Sequence, residues 1–259
     1  MSYIFDEHKN LERQRLLGLV QIKLTGQLLD TLNLPPGIRC LDLGCGIGES
    51  TRLLAARLGA SSETIGLDID PALLETARKS SDMGAKVTYE QGDARTLPFE
   101  DGSFGFVFAR CLLQHLPKPE IVLSEMLRVC RPGGIVAVQE PDLSKHYCFP
   151  HNWAITKLTA SLAKLVTNPV IGLELWSLFN GLGYPSANVN LELFGLYEGT
   201  ALKRVYCLSL EATRTLLVER GFIDENEVET LLEECRRVEQ DEAVLCLGCP
   251  FFSAWVVRR

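Results

Sequence analysis

The 259-residue sequence predicts an α/β fold, a mostly parallel sheet of seven strands with helices on both faces and a helical insertion after the fifth strand. Three observations predict it. From about residue 38 to 142, short apolar runs alternate with amphipathic stretches of helical period, the pattern of βα units in a parallel sheet. A glycine-rich turn, Gly44-Cys45-Gly46-Ile47-Gly48, joins the first of those strands to the first helix. Beyond Asp142 the period turns helical and then yields two late strands, which suggests an antiparallel edge.

The elements follow in order. Residues 8–32 carry Leu16, Leu17, Val20, Leu24, Leu28 and Leu29 on one stripe and read as a helix, ended by Pro35-Pro36-Gly37. Ile38, Leu41 and Leu43 form a short apolar run, a buried parallel strand. Ser50–Leu58 spaces its leucines three to five apart and stops at Gly59, an amphipathic helix. Thr64–Leu67 is the second strand. Asp70 before Pro71 caps the next helix, over 71–80, because proline is favoured at the first helical position. Lys86–Glu90, Phe104–Phe108 and Ile135–Gln139 are the third to fifth strands. A helix over 118–129 precedes the fifth, and Arg131-Pro132-Gly133-Gly134 makes a tight turn into it.

Residues 151–182 read as helical and rich in large apolar groups, and Ala187–Leu196 alternates like a strand. Residues 209–220 and 224–238 are helical. Phe251–Val257 reads as the last strand, and Cys249 is expected at its beginning. The expected division is an N-terminal helical segment at 1–35, the βα core at 36–142, a helical insertion at 143–200, and C-terminal helices with the closing strand at 201–259.

Composition narrows the function. A hydrophobic content of 46% is enough for a sizeable core, and no stretch reaches the roughly 18 apolar residues of a membrane helix. The N-terminal MSYIFDEHKNLERQR is charged and lacks the apolar centre of a signal peptide, so a cytoplasmic protein is expected. The net charge is −7 and no Lys/Arg run exceeds two residues, which weighs against a nucleic-acid partner. Nine cysteines include one close pair, Cys246 and Cys249, with no second pair or histidines at ligand spacing nearby. Buried structural thiols are expected there, not a zinc site.

A strand, a glycine turn and a helix form a nucleotide-type cofactor site. Glycines let the backbone approach the ligand, and helix N–H groups point at it. The dinucleotide pattern G-x-G-x-x-G is not met, because Glu49 stands where its last glycine would fall, and the phosphate loop is absent too. A nucleoside ligand without a pyrophosphate is therefore expected. Asp68 lies 24 residues past Gly44 (68 − 44), at the end of the second strand, where a carboxylate can accept both hydroxyls of a ribose. The competing role, a helix cap, suits Asp70 better. Gln91-Gly92-Asp93-Ala94 ends the third strand, and Ala109-Arg110-Cys111-Leu112-Leu113-Gln114-His115-Leu116 follows the fourth.

In this order, LDLGCGIGES, GLDID, GDARTLPFEDGSF, FARCLLQHL and LRVCRPGG resemble the class I S-adenosylmethionine-dependent methyltransferases. The branch most similar contains ubiquinone/menaquinone-biosynthesis methyltransferases and small natural-product methyltransferases. The resemblance covers about 36–142. Tyr3-Ile4-Phe5-Asp6 with Glu12-Arg13-Gln14-Arg15-Leu16, and Phe252-Ser253-Ala254-Trp255, are similar to the ends of bacterial small-molecule members.

The resemblance implies a Rossmann-like core and a set of roles. Gly44, Cys45, Gly46 and Gly48 pass beneath the methionine part of S-adenosylmethionine. Asp68 holds the ribose and Ile69 packs on the adenine. Asp93 accepts from the adenine amino group, with the Ala94 amide donating to the ring. Arg110 faces the methionine part. Tyr3 and Arg15 close over the cofactor, although a solvated amphipathic helix accounts for them equally well.

Methyl transfer from a sulfonium is an in-line displacement, which needs alignment and exclusion of water more than catalytic side chains. Amide and adenine N-methyltransferases of this fold carry an Asn/Asp-Pro-Pro-Tyr/Phe turn after the fourth strand, and metal-dependent catechol O-methyltransferases carry a metal-binding Asp. Ala109 and Arg110 match neither, so no metal is expected and a small-molecule acceptor is favoured; the alternatives are a methyltransferase acting on RNA or protein and a scaffold protein that binds the cofactor without methylating. The product is S-adenosylhomocysteine. The aromatic stretch with Tyr147, Phe149, Trp153, Trp176, Phe179, Phe194 and Tyr197 is a candidate lid and pocket, a helical core, or both. If the acceptor must lose a proton, His115 leads as base because its unperturbed pKa suits neutral pH. Glu140 is the rival, with Asp142 and His146 as further options; simple packing is the alternative for the histidine. Neither a nucleic acid nor a membrane is an expected partner, and the oligomeric state is left open.

Overall fold

A computed structural model describes residues 7–80, 86–193 and 200–259. In chain order the elements are α1 (Glu7–Leu32), β1 (Arg39–Leu43), α2 (Glu49–Leu58), β2 (Glu63–Asp68), α3 (Pro71–Lys79), β3 (Lys86–Gln91) and β4 (Phe104–Arg110). There follow α4 (Pro119–Val129), β5 (Cys130–Pro141), β6 (Tyr147–Phe149), α5 (Trp153–Ala163), α6 (Ile171–Gly181) and β7 (Asn188–Glu192). The chain closes with α7 (Thr200–Lys203), α8 (Val205–Glu219), α9 (Glu225–Gln240), β8 (Leu245–Leu247) and β9 (Phe251–Val257). They group into two compact units. The sheet unit is Ile22–Glu140, Ile171–Leu191 and Phe252–Arg259; the helical unit holds the rest of the chain.

The sheet unit is built on seven strands in the order β3-β2-β1-β4-β5-β9-β7. The pairs β1–β2, β1–β4, β2–β3 and β4–β5 are parallel. β9 runs against β5: Gly133 and Gly134, early in β5, exchange backbone hydrogen bonds with Arg258, while Gln139 near its end meets Ser253. This is the Rossmann-like arrangement with an antiparallel strand towards one edge. The parallel strands are apolar because both faces are covered: Leu41, Leu43, Phe106, Val107, Phe108, Val136 and Val138 are buried. The order of the strands reverses between β1 and β4, and Leu43 lies in register with both Leu67 and Ala109. The carboxyl ends of β1, β2 and β4 therefore share one edge, with a crevice at the reversal where parallel α/β sheets bind ligands.

The helical unit packs α5, α8 and α9 around Leu158, Tyr206, Leu210, Leu217, Leu231 and Leu232. Asn152 caps α5, and Asp224 with Glu227 forms a capping box on α9. An antiparallel ribbon of β6 and β8 sets Cys148 opposite Cys246. All nine cysteines are free, and Cys246 and Cys249 are buried as expected.

Several boundaries differ from the sequence reading. The helical stretch 151–182 is two helices, since Asn168 precedes Pro169 and a residue before proline disfavours the helical region. The second helix, α6, buries Ile171, Leu175 and Phe179 in the core of the sheet and leaves Leu173 and Trp176 exposed. The strand expected over 187–196 spans Asn188–Glu192; its last expected residues, with Phe194 and Tyr197, fall outside the described residues. The tight turn at 131–134 is absorbed as the irregular start of β5. Gly133 takes φ +75° and the β4–β5 register shifts between Phe104 and Phe106. The last strand starts at Phe251, leaving Cys249 and Pro250 in the connection before it. β6 and β8, three residues each, went unread because so short a strand shows no period.

Candidate active site

The crevice begins with Asp42, the one charged side chain in the buried part of β1. Its Oδ2 accepts from Ser50 Oγ (2.8 Å) and Thr51 Oγ1 (2.6 Å) in the first turn of α2. Oδ1 is buried with no hydrogen-bond partner among the described residues. Burial pushes this carboxyl up to about 6, against the pull of the two hydroxyls and of Arg110, with Asp68 adding to the rise. Asp42 was missed in the sequence reading, although a charge inside an apolar strand is itself a signal of a satisfied or functional group.

The glycine turn follows. Gly44, Gly46 and Gly48 all have positive φ: +66°, +54° and +81°. They are glycines for different reasons. A Cβ on Gly48 would collide with the Tyr89 phenol, 2.8 Å from its Cζ, and one on Gly44 would lie 3.0 Å from Leu112 Cδ1. A Cβ on Gly46 meets nothing within 4 Å. Gly46 therefore faces open space, and the neighbouring two are fixed by the protein's own packing. Cys45 is buried, and burial raises its thiol far out of the range of a reactive thiolate.

Asp68 is brought directly to this turn. Its Oδ2 accepts from the Gly46 N–H (2.8 Å) and its Oδ1 from the Asp70 N–H (3.0 Å), while Asp70 caps α3 as expected. Burial raises Asp68 above the ordinary carboxylate range. Each of its oxygens has used one of two acceptor directions, so hydroxyl donors can still be taken. Ile69 beside it is 57% exposed. Asp93, at the next strand end, is held by Arg95: Nε reaches both carboxylate oxygens at 3.0 Å and Nη2 reaches Oδ2 at 2.6 Å, which keeps its pKa low. Ala94 packs against the core.

Arg110 ends β4, and its Nη1 donates to Thr25 Oγ1 (3.2 Å). Thr25 donates to Gln139 Oε1 (2.7 Å), and Gln139 Nε2 donates to Ser253 Oγ (2.8 Å), a buried polar chain linking α1, β5 and β9. Beyond β4 a single 3₁₀ turn, Leu113–His115, carries the candidate base, half-buried. Glu140, at the end of β5, is fully buried and accepts from the backbone N–H groups of Leu112 (2.8 Å), Leu113 (2.7 Å) and Gln114 (3.4 Å). Burial pushes it up to about 8 while those donors pull it down. Asp142 and His146 lie in the helical unit. Asp142 Oδ1 accepts from Ser144 Oγ (2.6 Å), and burial lowers His146 to about 4. Arg15 is exposed on α1, and Tyr3 lies outside the described residues.

This crevice fits a ligand with cationic and hydroxyl groups. Asp42 and Asp68 supply carboxylates, one with an unpartnered buried oxygen, and Gly46 leaves its backbone open to approach. A sulfonium nucleoside carrying an ammonium and a ribose offers those groups. Among the described residues no cluster of His, Cys, Asp or Glu is arranged to hold a metal ion.

Comparison with known proteins agrees. Residues 41–138 match the sequence model of the family described as "Methyltransferase domain". The chain is 33% identical over 171 residues to 2-methyl-6-phytyl-1,4-hydroquinone methyltransferase of Synechocystis, covering 66% of this chain and 49% of that protein. It is 34% identical over 192 residues to squalene methyltransferase 1 of Botryococcus braunii, covering 71% and 49%. The chain thus spans about half the length of the curated relatives it matches. Among solved structures, the YcgJ protein of Bacillus subtilis shares the fold, with a TM-score of 0.58, 16% identity, and coverage of 90% of this chain and 97% of that one. Residues 41–138 thus match a methyltransferase domain, similar in sequence to the quinone methyltransferase and carried on the fold shared with the solved structure.

Proposed function

We propose that the protein transfers a methyl group from S-adenosylmethionine to a small, lipophilic acceptor without a metal. The observation that carries the reading is the pairing of Asp68 with the Gly46 amide beside the open face of Gly46, at the reversal of strand order. The relatives that act on a phytyl hydroquinone and on squalene support the acceptor class.

When bound, the cofactor supplies an electrophilic methyl on a sulfonium, which leaves sulfur as a neutral thioether. The chain's own groups do the rest. The Gly44–Gly48 backbone lies beneath the methionine part, with Arg110 facing it. Asp68 accepts from the ribose hydroxyls, Ile69 covers the adenine, and Asp93 and the Ala94 amide meet its edge. The carboxylates of Asp42 and Asp68 favour the cationic ligand over its neutral product. His115 takes the acceptor's proton where one must leave. No described helix is long and apolar enough to cross a membrane; the free cysteines suit the reducing cytoplasm.

The test is methyl transfer from isotope-labelled S-adenosylmethionine to prenylated hydroquinones, isoprenoid hydrocarbons and water-soluble phenols. Label in a lipophilic product, with matching S-adenosylhomocysteine, is the expected result. Labelling of the water-soluble phenols alone overturns the acceptor class.

A further inference from the structure

Glu140 is wholly buried, and the transfer chemistry assigns it no task. Burying a carboxyl is costly unless its oxygens are hydrogen-bonded. Here Oε1 accepts from the Leu112 and Leu113 amides and Oε2 from the Gln114 amide. Those three N–H groups open the 3₁₀ turn, where a helical turn has no partners of its own for its first donors.

The need for such an anchor is visible one residue earlier. The Cys111 N–H still bonds the Gln139 carbonyl, continuing the β4–β5 ladder, yet Cys111 has φ +53°, a left-handed conformation unfavourable for a side chain with a Cβ. The chain is bent sharply off the end of β4 and held by the residue that follows Gln139 on β5.

The bend has a target. Leu112, whose amide Glu140 binds, lays its side chain over Gly44, so that a Cβ there would sit 3.0 to 3.4 Å from three Leu112 carbons. Gly44 opens the cofactor turn, and its N–H is fixed to the Leu67 carbonyl at the end of β2. A continuous set of contacts thus runs from Glu140 through the Leu112 backbone and side chain to the glycine turn. The same turn carries His115 two residues beyond the second amide.

We propose that Glu140 is a positioning residue, whose carboxyl group clamps the Leu112–Gln114 backbone so that Leu112 seats the glycine turn for the cofactor. It acts through Leu112, not on a reacting atom, and its oxygens face main-chain amides. This assignment rests on the methyltransferase reading for the identity of the ligand, while the clamp itself stands on the hydrogen bonds.

Titration of S-adenosylhomocysteine into wild type, Glu140→Ala and Glu140→Gln, with backbone hydrogen exchange on each unliganded protein, tests it. Glu140→Ala loses both acceptor oxygens, and with them all three hydrogen bonds, and should weaken binding about tenfold or more, with faster exchange at Leu112 and Leu113 by a similar factor. Glu140→Gln keeps one oxygen for Leu112 and Leu113 and sets an amide against the Gln114 N–H. It should weaken binding only about threefold, with faster exchange at Gln114. Glu140→Ala binding within about twofold of wild type, or exchange at all three amides unchanged in both variants, overturns the clamp. Where Glu140→Ala does not fold, Glu140→Gln decides: wild-type affinity and wild-type Gln114 exchange overturn the proposal. A folded wild type that fails to bind the ligand overturns the methyltransferase reading, and the cofactor role of Glu140 with it.

Discussion

The carboxyl ends of β1–β2 and of β4–β5 both bury carboxylates, and they use them in opposite ways. At the first end, Asp42 and Asp68 are satisfied in part: one oxygen of Asp42 has no described partner, and Asp68 holds the edge of a turn whose central glycine faces open space. At the second, Glu140 spends both oxygens on backbone amides. A buried carboxyl with acceptor capacity left over is prepared for a ligand, and one surrounded by main-chain donors is part of the scaffold. A raised pKa does not distinguish them, because burial raises all three.

The contrast can be broken first in turnover. With a proton-losing acceptor, His115→Gln should lower turnover by roughly 10²–10⁴-fold while S-adenosylhomocysteine affinity holds, because a general base contributes that much. A change under about threefold would return His115 to packing and leave alignment as the whole mechanism.

The glycines sharpen the contrast next. Gly48→Ala drives a Cβ into Tyr89 and strains a positive φ, so denaturant unfolding should show a loss of about 2–4 kcal/mol. Gly46→Ala meets no atoms and should cost the fold only about 1–2 kcal/mol through its φ, yet it should weaken cofactor binding more than that loss explains. Equal stability losses in the two variants would remove the distinction between packed and open glycines.

A further effect is in pH. The folded pKa values of Asp42 and Glu140 are raised above their unfolded ones, so the fold keeps protons that the unfolded chain has released. The stability this confers is complete below about pH 4 and is lost as pH rises through about 6 for Asp42 and about 8 for Glu140. Asp42→Asn should remove about 2–3 kcal/mol of the decline between roughly pH 4 and 6. Urea unfolding across that range checks it; an unaltered slope would place Asp42 in contact with water or charge that the fold does not show.

The two ends also differ in how far they could be read from the sequence. Gly44–Gly48 and the Asp68-Ile69-Asp70-Pro71 run are local patterns, in which a turn, a cap and a carboxylate fall within a few residues of a strand end. The alternating strands of the sheet were legible for the same reason. Glu140 and His115 were legible only as polar groups at strand ends. That Glu140 binds amides 26 to 28 residues away depends on the β4–β5 register. The Thr25–Gln139–Ser253 chain joins residues 114 apart on each side, and nothing local marks Thr25 within a helix or Ser253 within a strand. Pro169 did mark the break between α5 and α6, but the apolar run on either side masked it.

The central claim is that Asp68 and the Gly46 amide form one cofactor-binding unit. Calorimetric titration of S-adenosylhomocysteine into wild type and Asp68→Ala tests it most directly. Saturable one-to-one binding by the wild type, weakened roughly ten- to a hundredfold in the variant, is the predicted result, since a hydrogen bond to a charged group contributes about 1.5–3 kcal/mol. Equal affinity in the two proteins, with the variant's fold intact, would contradict it.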